Sequence, residues 1–297
     1  MMDQGRTIDF TGRVAIVTGG ASGMGLAYVH ALAARGCAVV VNDVQGAEAV
    51  ATRIADDGGR ALAVSVPVGT ADAAHRIAAQ ALAQFGRLDI LINNAGVARA
   101  EPFDRLNDAN VALQFATNLL GPFELMRAVW PAMAGQGYGR ILNIASIGAL
   151  GIGHSAVYAA TKAAMLGLTF DTAIDGRPAG ILVNAALPSA YTPMTEQIPD
   201  AALVDWYRRH LPAERVAAAL LWFVSEVCDV SGVAVTTGGG RIARIGFGDG
   251  PAVLDPDISP EAVDCARAGF LTTQRLDLLE TQRQASDRYA EVFPREA

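Results

Sequence analysis

Residues 13–25 read Arg-Val-Ala-Ile-Val-Thr-Gly-Gly-Ala-Ser-Gly-Met-Gly, and this stretch decides the fold. The run 13–18 is apolar and β-branched, which suits a strand buried on both faces of a parallel sheet. After the glycines a helical pattern runs through Leu26, Val29, His30 and Leu32 to Gly36, a suitable C-cap. A strand, a glycine-rich turn and a helix N-terminus together make an anion site. Backbone N–H groups without helical partners point outward there, and the helix dipole favours negative charge. Gly19, Gly23 and Gly25 let a pyrophosphate approach backbone that a Cβ would shield.

The next apolar run, Ala38-Val-Val-Val-Asn-Asp43, ends in a carboxylate about 20 residues beyond the glycines. A dinucleotide-binding unit places an acid there to accept hydrogen bonds from the adenosine ribose. Such an acid repels a 2′-phosphate. Neither the glycine loop nor Val44, which follows Asp43, supplies a cation. The expected cofactor is therefore NAD rather than NADP.

Strand-like and helix-like segments alternate from here on. Helices are expected near 46–57 and 71–85, across 105–135, around Tyr158 and near 213–225. Strands are expected at 61–66, 88–92, 140–145, 180–184 and 233–237. Alternation of this kind means βαβ units with right-handed crossovers. The expected fold is α/β: a single doubly wound, Rossmann-type parallel sheet flanked by helices. One domain over 1–297 divides into a core, 10–240, and a C-terminal helical extension, 241–297. Within the extension, 259–292 has helical spacing at Ala262, Ala266, Phe270, Leu276 and Leu279. Ligands of such sheets bind at the carboxyl ends of the strands. The glycine loop, Asn93-Asn94-Ala95-Gly96 and Ser146 all fall at such ends, so one cleft collects them.

Composition excludes several classes. The 297 residues are 52% hydrophobic, enough for one sizeable core. A net charge of −7 without a basic cluster argues against nucleic acid. Cys37, Cys228 and Cys265 are scattered, with neither a paired framework nor metal-ligand spacing, which fits a reducing, cytoplasmic setting. The polar start with Asp3 and Asp9 is unlike a signal peptide. The longest apolar stretch, 216–224, is too short to span a bilayer. The expected partner is a small-molecule substrate, with no metal and no membrane.

Tyr158 and Lys162 stand four residues apart, on one face of a helix. A phenol with a pKa of roughly 10 is a poor base at neutral pH unless a nearby cation stabilises its anion. Lysine one turn away supplies that cation.

Taken in order, Thr18-Gly19-x-x-x-Gly23-x-Gly25, Asn93-Asn94-Ala95-Gly96, Asn118, Ser146 and Tyr158-x-x-x-Lys162 resemble the short-chain dehydrogenase/reductase family over nearly the whole chain. Three further stretches look like the (3R)-hydroxyacyl-CoA dehydrogenase domains of type 2 peroxisomal multifunctional enzymes. These are Val41-Asn42-Asp43, Ala173-Ile174-Asp175-Gly176-Arg177 and the run 187–195. The resemblance implies hydride transfer between a nicotinamide and an alcohol or ketone. Tyr158 would then be the general base or acid, and Lys162 would lower its pKa and hold the nicotinamide ribose. Ser146 would hydrogen-bond the substrate oxygen. Asn118 would hold a water that passes the proton from Lys162 to solvent. By position, Ser22 and Met24 would face the pyrophosphate, Asn94-Ala95-Gly96 the adenine ribose, and Pro188 with the Tyr191 backbone the carboxamide.

Three departures from the family stand out. Ser146 and Tyr158 are separated by one residue fewer than is usual, which shortens the loop 148–154. Pro67 replaces the aspartate that usually bonds the adenine amino group. Ser189 replaces the glycine that usually follows Pro188. The lid 192–212 and the short loop suggest a bulky apolar substrate, with Ile147, His154, Met194 and Trp206 as its candidate contacts. Coenzyme A needs cations for its phosphates, and only Arg208, Arg209 and Arg215 are candidates. Acyl-CoA is therefore the alternative substrate, beside two other classes: an NAD-binding epimerase or lyase, and a non-catalytic NAD-binding regulator. Phe123, Met126, Trp130, Met165 and Leu168 show more apolar surface than one sheet face needs, which predicts a homodimer or homotetramer.

Overall fold

Strand β1 (Val14–Thr18) is the axis of the molecule. It pairs in parallel with β2 (Ala38–Asn42) on one side and β4 (Ile90–Asn93) on the other. The sheet extends through β3 (Arg60–Val64) at one edge, and through β5 (Gly139–Ile144), β6 (Ile181–Pro188), β7 (Ala234–Gly238) and β8 (Arg241–Ile245) at the other. The computed structural model describes residues 7–249, 263, 265 and 277–279. Strand order 3-2-1-4-5-6-7-8 reverses direction between β1 and β4, and an open α/β sheet binds ligands outside that switch point.

Period-two alternation sorts the strand residues between two cores. Val14, Ile16, Ala38, Val40 and Leu91 face helices α3 (Ala71–Phe85), α5 (Gly121–Gln136) and α6 (Ala156–Gly176). Ala15, Val17, Val39, Val41, Ile90 and Ile92 face α1 (Gly23–Ala33) and α8 (Ala213–Leu220), with Ala47 and Ile54 of α2 (Ala47–Asp56) beside them. Both faces are covered, so every position of β1 and β2 is buried. Each fully buried Val or Ile contributes roughly 1.5–3 kcal/mol of transfer free energy. Among the described residues no helix is long and apolar enough to cross a membrane.

Three elements differ from the sequence expectation. The stretch 105–135 is not one run: α4 (Asp108–Phe115) gives way to a π-turn, Ala116–Leu120, before α5. Pro122 has no N–H, so it cannot donate to the Asn118 carbonyl as an α-helix requires, and the turn widens instead. Strand β6 runs on to Pro188 because residues 185–188 pair with β7. The sheet also takes in β8, beyond the expected core limit at 240. Gly239 and Gly240 both have positive φ (55° and 83°), the geometry of a two-residue hairpin turn.

By contact density the chain forms two units, Met1–Arg244 and Ile245–Ala297. In the second, β9 (Gly248–Asp249) pairs antiparallel with β10 (Asp277–Leu278), where helical spacing had been read. Most of the helical segment expected at 259–292 lies outside the described residues.

Opposite the carboxyl ends, Asp89 is fully buried and anchors the sheet. It accepts from Val14 N at 2.9 Å, Arg13 Nη1 at 3.1 Å and Arg87 Nε at 2.8 Å. Burial alone would raise its carboxyl pKa. The bonds from Arg87, Val14 and Arg13 outweigh it and hold the group below its ordinary value. A depressed carboxylate stabilises the fold above its unfolded pKa of about 3.9 and loses that effect as pH falls through the folded value. Asp89→Asn should cost about 2 kcal/mol at pH 7, read from urea midpoints, with the gap closing below pH ~4. A gap that stays constant to pH ~3 contradicts this origin.

Candidate active site

The glycine loop forms a cradle only glycine permits. Gly19 and Gly23 take left-handed φ of 62° and 52°. A Cβ on Gly25 would lie 1.9 Å from the Gly19 carbonyl oxygen. Ser22 is the N-cap of α1, yet its side chain makes no capping bond and no acid occupies the first turn. The loop is tied to the end of β4. Asn94 Nδ2 donates to Thr18 O (2.9 Å), while Thr18 Oγ1 accepts from Asn94 N and Ala95 N (3.0 Å each). Asp43 Oδ2 accepts from Ala21 N at 3.0 Å, so the acid at the end of β2 borders the loop. Thr192 and Pro193 close the cradle from the other side, their atoms 3.2–3.4 Å from the Cβ position of Gly23. An uncapped helix N-terminus, glycines at the close approaches and a flanking carboxylate fit a dinucleotide.

Tyr158 and Lys162 sit in the first two turns of α6, facing the end of β5. Lys162 is the only lysine in the chain. It is 4% exposed, its Nζ donates to Ile144 O at 2.7 Å, and burial pulls its pKa down to about 8. The Nζ lies 5.8 Å from the Tyr158 ring centroid. Burial pushes the Tyr158 phenol above its ordinary value, and a hydrogen bond with Ser146 pulls the other way. Lysine was expected to lower this pKa. Without a ligand the effect of burial on the phenol is the larger one. Ser146 Oγ also accepts from Gly148 N at 3.0 Å, so it caps the turn Ile147–Leu150 while touching the phenol. Gly148 was missed in the sequence. A Cβ there would stand 3.1 Å from the Tyr158 ring, and a glycine two residues after a strand-end serine is the only local signal.

Asn118 is fully buried in the π-turn. Its Oδ1 accepts from Val97 N and its Nδ2 donates to Val97 O, both at 2.8 Å, with Thr161 Oγ1 at 3.3 Å. The side chain is thus committed to the backbone after β4. Asn118 Oδ1 and Lys162 Nζ are each 3.5 Å from the Cβ position of Gly96, so Asn118, Lys162 and Gly96 do converge.

Pro188 ends β6, half-buried. The Tyr191 N–H donates to Leu211 O at 2.7 Å, and its hydroxyl bonds Glu196 and Arg208. Ile147, Leu150 and Ile152 are exposed between Ser146 and Tyr158 in sequence, as are Met194 further on and Leu203 and Trp206 (47% exposed) on α7 (Ala201–His210). Trp206 touches Tyr207 and His210 of its own helix rather than a core. His154 is exposed at a φ of 48°. Arg208 and Arg209 both pair with Asp205.

A family profile described as short chain dehydrogenase matches residues 13–202. The chain belongs to the short-chain dehydrogenase family. Members of the family are dehydrogenases and reductases that act on CH–OH groups and typically bind a nicotinamide cofactor. Mouse peroxisomal multifunctional enzyme type 2 is 37% identical over 248 residues, covering 80% of this chain and 33% of that protein. The chain thus spans a third of the mouse relative. The cis-4-hydroxycyclohexanecarboxylate dehydrogenase of Sinomonas cyclohexanicum is 37% identical over 246 residues, 79% of this chain and 98% of that enzyme. The crystal structure of a short chain dehydrogenase from Mycobacterium avium superposes with a TM-score of 0.78 at 31% identity, covering 90% of this chain and 96% of that one.

For this short-chain dehydrogenase, Gly25→Ala should weaken NADH binding by about a hundredfold or more, since helix or loop must shift to admit the Cβ. Fluorescence titration with NADH tests it. Wild-type affinity in that variant would show that the cradle is not the dinucleotide site.

Proposed function

We propose that the chain is an NAD(H)-dependent dehydrogenase that interconverts a bulky apolar secondary alcohol and its ketone. The observation that carries this reading is the convergence of Tyr158, Ser146 and Lys162 beside a glycine cradle flanked by Asp43. Bound NAD would accept the hydride and bring a positive ring close to the phenol. Ser146 and Tyr158 would hold the substrate oxygen between two hydroxyls, where charge develops. Tyr158 would take the hydroxyl proton in oxidation and return it in reduction. Lys162 would favour the phenolate and hold the nicotinamide ribose. Asn118 would serve through its main chain: Pro122 denies its carbonyl the α-helical donor, leaving that oxygen for a relay water. Pro188 and the 191 segment would face the carboxamide, Ser22 and Met24 the pyrophosphate, and Asn94-Ala95-Gly96 the adenine ribose.

Two facts support a neutral, apolar substrate over acyl-CoA. Of the three candidate cations, Arg208 and Arg209 are already paired with Asp205, and Arg208 also bonds Tyr191, which leaves Arg215 alone outside that pairing. The large exposed side chains of the loop after Ser146 and of the lid, Ile147, Leu150, Ile152, Met194, Leu203 and Trp206, are all uncharged. A relative covered over 98% of its length is named for a hydroxycyclohexanecarboxylate, which makes ring alcohols, with and without an acid group, the first class to assay.

The test is a panel of cyclic and acyclic secondary alcohols, hydroxysteroids and 3-hydroxyacyl-CoAs, with NAD and NADP. Apolar alcohols should turn over with NAD, and kcat/KM with NADP should be lower on the order of a hundredfold, from like charges held close at intermediate dielectric. Tyr158→Phe should lose about 10³ in kcat. Full activity in that variant, or preference for NADP, overturns the mechanism or the role of Asp43 respectively. The same reading includes a dimer or tetramer formed through the α5–α6 face. There Phe123, Met126, Trp130, Pro131 and Leu168 line a groove of about 330 Å3. Light scattering that shows a monomer at micromolar concentration contradicts that assembly.

A further inference from the structure

Helix α4 and the π-turn carry an amide stripe that the catalytic roles leave unexplained. Asn110, Gln114 and Asn118 recur at every fourth residue and so share one helix face. Opposite them, Val97, Arg99 and Glu101 recur at every second residue of the segment that leaves the end of β4. The two sets pair in order. Asn118 holds both the N–H and the carbonyl of Val97. Gln114, fully buried, accepts from Arg99 N at 3.2 Å, with its Nε2 3.5 Å from Arg99 O. Asn110 Nδ2 donates to Glu101 Oε1 at 2.8 Å, and Asn107 N donates to Glu101 Oε2 at 3.1 Å. Asn118 and Gln114 thus do for the backbone of Val97 and Arg99 what a neighbouring strand would do, while Asn110 meets Glu101 through its side chain.

The far end of this zipper reaches the substrate side. Glu101 N donates to His154 O at 2.6 Å. His154 is the one non-glycine among the described residues with a left-handed φ, set between Gly153 (φ 77°) and the start of α6. A non-glycine residue in that region persists when its surroundings fix it. The loop it closes begins at Ser146 and Gly148, which touch Tyr158.

We propose that Glu101 is a positioning residue for the substrate loop 148–154. Its carboxylate is gripped by the N-terminus of α4, and its N–H fixes the loop at His154. Gln114 is the second clamp. This deepens the reading of Ser146 and Tyr158 given above and rests on it. The stripe also separates two tasks: Asn118 secures the cofactor side, and Glu101 secures the wall that selects the alcohol.

The experiment compares full-length wild type, Glu101→Ala and Glu101→Gln. Hydrogen exchange is read over the loop and over the glycine cradle, beside NADH dissociation constants and alcohol kinetics. Glu101→Ala should speed loop exchange and raise KM for the best alcohol, each by about tenfold. NADH affinity and cradle exchange should stay within about twofold. Glu101→Gln, which keeps one acceptor, should fall between. Unchanged loop exchange in Glu101→Ala overturns the proposal, as does a loss shared equally by loop and cradle, which would mark a merely structural residue. A wild type that turns over no alcohol while its loop still responds to Glu101→Ala would sink the functional reading instead.

Discussion

A single ammonium group with almost no access to water governs the site. Lys162 is held by one carbonyl, Ile144 O, at the end of a central strand, and no salt bridge to it forms among the described residues. Burying a cation in this way is costly, which is why its pKa falls to about 8. The cost is supported by the parallel sheet, which buries β5 on both faces, and by α6, which places the lysine one turn below Tyr158. Asn118 and Gly96 meet Lys162 there, and Gly96 follows the Asn94-Ala95 pair that ties down the glycine loop. A site of this kind gains from an added ligand, because polar groups of a dinucleotide would meet an ammonium with one carbonyl partner and two further N–H donors.

The features legible in the sequence were those whose signal is local. The glycine loop declares itself because Gly25 faces its own loop carbonyl, Gly19 O. Asp43 is marked by its distance from that loop, and Tyr158 with Lys162 by helical spacing. The doubly wound sheet followed from alternation, and its strand order placed the expected residues at one end. What escaped was non-local. The pairing of the Asn118 amide with Val97 joins groups from a helix and a loop, and nothing in either segment alone announces it. The extra strand β8 depended on two adjacent glycines adopting positive φ. The direction of the Tyr158 shift depended on burial, which spacing does not report.

The division between cofactor and substrate sides is also physical. The cofactor side is built on strand ends and backbone hydrogen bonds, so it tolerates little variation. The proposed substrate side is a loop and a lid with exposed apolar residues, where identity changes cost the fold little. The shortened loop after Ser146 belongs to this second region, and the amide stripe of α4 is what gives it a fixed shape.

Because Lys162 is the only lysine, its ionisation can be read without ambiguity of assignment among side chains. Protein made with isotopically labelled lysine, followed by NMR across pH 6 to 11 without cofactor, measures it directly. The account predicts one titrating resonance with a pKa near 8. A value at or above the ordinary lysine pKa of about 10.4 would contradict a buried, unpaired ammonium and the chemistry argued from it.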